Sequence, residues 1–147
     1  MFENNFKILI HCIIGTNDFK NQIDQKIEKL LVKHFTFRIQ SDFESELLAV
    51  NGTENHLHLL FQLHPDKSLN EIIQSLKASS SELINQMNLT NEKFMWQIGY
   101  YGFSVSESQA EKVIDYIKNQ KEIHQKLSAD EEILKFLEAH KTNKPKN

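Results

Sequence analysis

Cysteine, arginine and glycine are all scarce in this chain, and each shortage removes a class of explanation. One cysteine, Cys12, cannot form an intrachain disulfide or a thiolate cluster, so any bound metal must rely on histidine, carboxylate or amide oxygen. One arginine, Arg38, leaves little scope for bidentate reading of guanine. Four glycines, none in a glycine-rich run, exclude a loop that cradles phosphates. No apolar stretch approaches the roughly 20 residues of a membrane span. The opening Met1-Phe2-Glu3-Asn4-Asn5 lacks the basic start and apolar stretch of a signal peptide. A cytoplasmic protein without a membrane partner is the expectation. A basic excess is missing too: seventeen Lys and Arg face twenty Asp and Glu, a formal net charge of −3, whereas many nucleic-acid binders are strongly basic. The lysines are nevertheless uneven. Lys112, Lys118, Lys121 and Lys126 crowd one late segment and Lys141, Lys144 and Lys146 the end, which leaves room for a local basic surface.

What is present suits one folded domain. The 147 residues, 39% hydrophobic and 25% charged, are enough for a sizeable core. The run from Phe6 to Gly15 is short, β-branched and ended by glycine, hence a strand. Asp18 is read as the cap of a helix carrying Ile23, Ile27, Leu30 and Leu31 to about His34. Apolar segments Leu47 to Val50 and Leu57 to Leu63 flank Asn51-Gly52, a hairpin signal. Ser68, with Glu71 in the capping-box position, opens a second helix through Leu76 to Ile84. The aromatic stretch Trp96 to Val105 leads into a fourth strand. Ser106 opens a third helix to about Leu127, and Ala129 to His140 makes a fourth. Strand, helix, strand, strand, helix, strand is the split βαβ, ferredoxin-like order: an α+β fold, an antiparallel sheet with two helices on one face. Residues 1–140 are read as a single domain and 141–147 as a disordered tail.

Two patterns carry chemistry. In His56-Leu57-His58-Leu59 the residues alternate, so on a strand both imidazoles share one face while the leucines take the other. Two neutral imidazoles side by side suit a divalent metal; two strand histidines without a ligand role are the alternative. Tyr116, Gln120 and His124, four apart, form one helical stripe beside the apolar face of Ala110, Val113, Ile114 and Ile117. A phenol, an amide and an imidazole in line suit an active-site wall, or else three boundary and surface groups.

Four segments in order resemble the single-tyrosine HUH transposases of the insertion-sequence-200-like type. They are Ala49 to Leu60, Ile73 to Ser81, Trp96 to Ser106 and Tyr116-Ile117-Lys118-Asn119-Gln120, and the resemblance runs from about Phe6 to about Leu137. It implies that His56, His58 and Gln120 bind Mg²⁺ or Mn²⁺ and that Tyr116, on a C-terminal helix, is the nucleophile. Lys77, Ser79 and Ser80 match a family segment expected to touch DNA backbone, and Lys112, Lys118 and Lys121 are further candidates for DNA contact. His124 matches a histidine often found after the glutamine. The implied reaction cleaves and rejoins single-stranded DNA at the hairpin ends of a mobile element through a 5′-phosphotyrosine, without ATP. The implied assembly is a homodimer with shared active sites, the tyrosine helix of one subunit meeting the histidine pair of the other. The chain departs from the family pattern at Thr16 to Lys20, usually more basic, and at Asn55, commonly acidic. A domesticated or inactive DNA-binding relative, a ferredoxin-like interaction module and a metal-dependent hydrolase without a covalent step are the competing readings.

Overall fold

The first apolar run forms strand β1 (Leu9–Gly15), which starts three residues later than the expected Phe6, and the rest follows in the expected order: α1 (Gln25–Phe43), β2 (Glu46–Gly52), β3 (His56–Gln62), α2 (Leu69–Gln86) and β4 (Tyr101–Val105). Three further helices come after: α3 (Ala110–Lys118), the short α4 (Gln120–Ile123) and α5 (Ala129–Ala139). The computed structural model describes residues 5–140, so the expected tail and its three lysines lie outside the described residues. The sheet order is β2-β3-β1-β4 with every neighbouring pair antiparallel, the ferredoxin-like split βαβ arrangement. Among the described residues no helix is long and apolar enough to cross a membrane.

The sheet has two different faces. Cys12 and Ile14 of β1 and Leu57, Leu59 and Phe61 of β3 pack against Ile27, Leu31, Phe35 and Ile39 of α1 and Ile72, Ile73, Leu76 and Ile84 of α2. Burying each such side chain contributes roughly 1.5–3 kcal/mol, so this layer holds the domain together. The opposite face is closed in two halves. Ile117 of α3 lies with Leu9, Ala49 and Leu60, while Ile133 and Leu137 of α5 lie with Ile13 and Phe103. The histidines of β3 share this second face, set between two apolar patches.

Local details differ from the sequence reading in ways the packing explains. Asp18 caps nothing; it sits at φ 54° in a short 3-10 turn, and Asp24 caps α1 by accepting from Ile27 N–H at 2.8 Å. The chain between them is held out by the β2–β3 loop, where Glu54 O accepts from Gln22 and Ile23 N–H. The helix continues past His34 to Phe43 because Phe35 and Ile39 prolong its buried stripe. The hairpin forms, but its loop is Thr53–Asn55, and Gly52 serves close approach: a Cβ there would lie 2.0 Å from His56 O. Ser68 caps α2 as expected, accepting from Glu71 N–H. Ser106 bonds Ser108 instead of capping, and the third helix breaks at Asn119, whose N–H is shared between Asp115 O and Tyr116 O.

Candidate active site and metal centre

Alternation along β3 does put His56 and His58 on the face away from α1 and α2. That face is covered, however, and both imidazoles are fully buried beneath α3, α4 and α5. What lies over them is polar. Ile117, buried against Ala49 and Leu60, folds α3 back on the sheet and thereby aims its neighbour Tyr116 inward. Tyr116 lies 5.9 Å, ring to ring, from His58 of its own chain, so a single chain completes the cluster that the resemblance assigned to two subunits. The break at Asn119 does not separate the stripe of Tyr116, Gln120 and His124; all three side chains converge on the carboxylate of Glu132 in α5.

Glu132 is the hub. Its Oε2 accepts from the Tyr116 hydroxyl and, at 2.9 Å, from Gln120 Nε2. Its Oε1 lies 2.8 Å from His58 Nε2, 3.0 Å from His124 Nε2 and 3.3 Å from His56 Nε2. One ligand atom from each of His56, His58, His124 and Glu132 falls within 4.8 Å of all the others.

The surroundings fix which nitrogens carry protons. His56 Nδ1 lies 2.8 Å from Asn55 Oδ1, an acceptor, so the proton is on Nδ1 and the Nε2 lone pair points into the cluster. His124 Nδ1 donates to Leu127 O at 2.6 Å and likewise turns a bare Nε2 inward, 3.1 Å from His56 Nε2. Gln120, its amide nitrogen committed to Glu132, presents Oε1 to His56 Nε2 at 3.3 Å. The inward nitrogens of His56 and His124, the Gln120 oxygen and the Glu132 carboxylate converge, with the outward N–H groups of those two imidazoles held by oxygen, and this donor set fits a divalent cation. Of the set only His124 and Tyr116 keep any real exposure, which marks the open side.

The electrostatics place an anionic Glu132 beside a neutral His58 and a protonated Tyr116. Burial pushes the Glu132 carboxyl up, but the His58 imidazole and the Tyr116 hydroxyl, which donate to it, outweigh burial and hold the group far below the usual carboxylate range. Burial lowers His58 and keeps it neutral, only partly offset by Glu132. Burial and then the adjacent Glu132 carboxylate raise the Tyr116 phenol above its ordinary value. His11, on β1, is lowered to about 3 by burial and then by His58; its Nε2 lies 2.7 Å from His58 Nδ1.

The structure therefore brings together His56, His58, Tyr116, Gln120 and His124. It does not bring Lys77, Ser79 or Ser80 to them: α2 is on the other face of the sheet. Lys77 Nζ donates to Gln97 O at 2.8 Å and to Gly99 O, Ser80 accepts from Trp96 Nε1, and Ser79 bonds His34. These groups tie α2 to the 94–100 loop and to α1, and Lys77 and Ser80 are buried. Lys112 and Lys118 are exposed on α3, while Lys121 bridges Glu28 and Asn51. Sequence reasoning missed Glu132 and His11. Glu132 had a signal: it interrupts the stripe Ala129, Ile133, Phe136 and Leu137 on the buried side of α5.

Residues 4–120 match the family described as Transposase IS200 like. No curated protein matches the chain. Among solved structures, a candidate transposase from Deinococcus radiodurans is similar with a TM-score of 0.63 at 20% identity, over 82% of this chain and 98% of that one. A REP-associated tyrosine transposase bound to a REP hairpin is similar with a TM-score of 0.64 at 15% identity, over 84% of this chain and 74% of that one. At these identities the likeness speaks for the fold. His124 and Glu132 lie beyond the family-matched residues.

Proposed function

The chain belongs to the IS200-like transposase family, and from that premise we propose that residues 1–140 form one catalytic domain that cleaves and rejoins single-stranded DNA through a 5′-phosphotyrosine on Tyr116. The observation that carries this reading is the convergence of the Tyr116 hydroxyl, the histidine pair and Gln120 on Glu132. Hairpin DNA at the ends of a mobile element is the proposed substrate, as in the REP-hairpin complex of the similar structure, and the cytoplasm the proposed location.

The chemistry follows from the geometry. Tyr116 O attacks phosphorus, the O–P bond forms and the P–O3′ bond breaks, leaving a 5′-phosphotyrosine and a 3′-hydroxyl. The phenolic proton is already shared with Glu132 Oε2, its nearest acceptor. That pair is mismatched for transfer, since the phenol is raised and the carboxyl depressed. Positive charge in the cluster would ease ionisation. His56, His58 and Gln120, joined by His124 and Glu132, would hold Mg²⁺ or Mn²⁺, which supplies that charge, polarises the phosphate oxygen and stabilises the leaving 3′-oxygen. Softer imidazole and amide ligands favour Mn²⁺ in vitro. Gln120 and Glu132 orient the phenol, and α5 keeps water from the buried side. Strand rejoining reverses the attack and conserves the phosphodiester energy.

The test is incubation with single-stranded hairpin DNA and Mn²⁺. A covalent adduct should form with the wild-type chain and vanish in Tyr116→Phe, which keeps the ring packing and loses only the hydroxyl. Tyr100 and Tyr101, far along the chain in the loop and β4, should be dispensable. Cleavage that survives Tyr116→Phe would replace this reading with hydrolysis, and neither metal binding nor cleavage would leave an interaction module.

A further inference from the structure

His11 belongs to neither of the motifs that the function absorbs. It lies on β1 in the row Leu9, His11, Ile13 that faces α3 to α5, in register with Leu60 and Phe103, and is 2% exposed. A polar ring in an otherwise apolar row is costly to bury unless it is hydrogen-bonded. Its partner is specific: His11 Nε2 lies 2.7 Å from His58 Nδ1, with ring centroids 5.0 Å apart. Phe136 of α5 stands edge-on against His11 at 5.0 Å and fixes the ring from the other side.

The other two imidazoles of the cluster have outward Nδ1–H groups on plain acceptors, Asn55 Oδ1 and Leu127 O. His58 alone has an imidazole there. We infer that His11 is the positioning residue for His58, the outer partner that sets which nitrogen of His58 is free to face a cation. Resting on the proposed metal site, this inference assigns the outer shell of its central ligand.

The proton arrangement follows from hydrogen-bond directions. Glu132 Oε1, 2.8 Å from His58 Nε2, can only accept, so in the metal-free chain His58 carries its proton on Nε2. His58 Nδ1 then accepts from His11 Nε2–H. For Nε2 to present a lone pair to a cation, the proton of His58 must sit on Nδ1 and donate to His11, which must turn from donor to acceptor. An imidazole can do both, because a neutral ring exchanges donor and acceptor nitrogens. His58 moves from the Nε2–H to the Nδ1–H tautomer and His11 from Nε2–H to Nδ1–H, and both rings stay neutral. Glu132 loses the His58 donor and keeps Tyr116 and Gln120. An apolar residue at position 11 would leave the Nδ1–H form of His58 without an acceptor in a buried site. A glutamine would still offer Oε1 or Nε2.

The experiment compares wild type, His11→Gln and His11→Leu, each checked for folding by circular dichroism. Mn²⁺ affinity is measured by calorimetry, and the His58 tautomer by ¹⁵N NMR with and without Zn²⁺. Loss of an outer partner typically weakens metal affinity about 10–100-fold, so His11→Leu should fall in that range and His11→Gln within about threefold of wild type. His58 should carry its proton on Nε2 without metal and on Nδ1 with Zn²⁺. Wild-type affinity in a folded His11→Leu chain, or a His58 tautomer that does not change on Zn²⁺ binding, overturns the inference and leaves the metal site standing. A wild-type chain that binds neither ion sinks the metal site and this inference together. Should His11→Leu fail to fold, the wild-type tautomers decide the matter.

Discussion

Acid should destabilise this domain through His11, before any carboxylate responds. The folded imidazole is lowered from about 6.5 to about 3, because burial and the neighbouring His58 disfavour its charged form. A histidine depressed in the folded state contributes stability that is present above its unfolded value and lost as pH falls below it. Between pH 7 and pH 5 the unfolded imidazole takes up most of a proton and the buried one almost none, so His11 alone should cost the fold roughly 2 kcal/mol. His58, also lowered by burial, acts in the same direction. Glu132 is depressed too, but its contribution is lost only below the ordinary carboxylate range, outside this window. The assay is urea unfolding at pH 7 and pH 5 with chelator present. His11→Gln keeps a partner for His58 and removes the titration, so its stability should fall by roughly 2 kcal/mol less than that of wild type over the same interval. Equal losses in the two proteins would refute the assignment of the acid sensitivity to His11.

Three other outcomes follow from the geometry. Glu132→Ala strands the Tyr116 hydroxyl, the Gln120 amide and the His58 ring without their acceptor, and thermal melts should show about 3–5 kcal/mol of destabilisation, the range for breaking a buried charged network. Gly52→Ala puts a methyl group against His56 O and Leu57 Cα, both backbone, and should destabilise by more than about 4 kcal/mol, read by urea unfolding. Because one chain brings Tyr116 to its own histidines, mixing Tyr116→Phe subunits with His56→Ala/His58→Ala subunits should restore no DNA adduct; recovery after verified exchange would show that a dimer shares the site.

The fold was largely legible because its signals are local. Alternation in β3, the Ser68 cap and the order of apolar segments suffice for the split βαβ arrangement, and the period of two puts His56 and His58 on one face. Burial of that face was not legible. Periodicity tells which residues share a side, not what will cover it, and the cover comes from α3, α4 and α5, about 50 residues or more away along the chain. Glu132 was hidden for a related reason: Asp130-Glu131-Glu132 reads as acid placed in the first turn of a helix, where carboxylates favour the macrodipole. Only its place in the apolar stripe separates it from its neighbours. The Asn51-Gly52 signal gave the right hairpin for the wrong reason, since the glycine relieves a backbone contact and leaves the turn to Thr53–Asn55.

Glu132 also bears on the departure at position 55, because both residues meet the His56 ring. An acidic residue there, as is common in the resembling transposases, would accept from His56 Nδ1 and make that imidazole a stronger ligand. Asn55 Oδ1 makes the same hydrogen bond at 2.8 Å without the charge, so the orientation of His56 survives and its outer partner is neutral. The negative charge is found one step further in, on a carboxylate 3.3 Å from His56 Nε2 and 2.8 Å from His58 Nε2. A charge in direct contact with the ligand atoms acts more strongly on a cation than one behind an imidazole, since Coulomb attraction grows as distance and local dielectric fall. The same carboxylate also accepts from the Tyr116 hydroxyl, the proposed nucleophile, so substitution at position 132 would touch the proposed cation site and phenol ionisation together, whereas substitution at position 55 would touch only the set of His56.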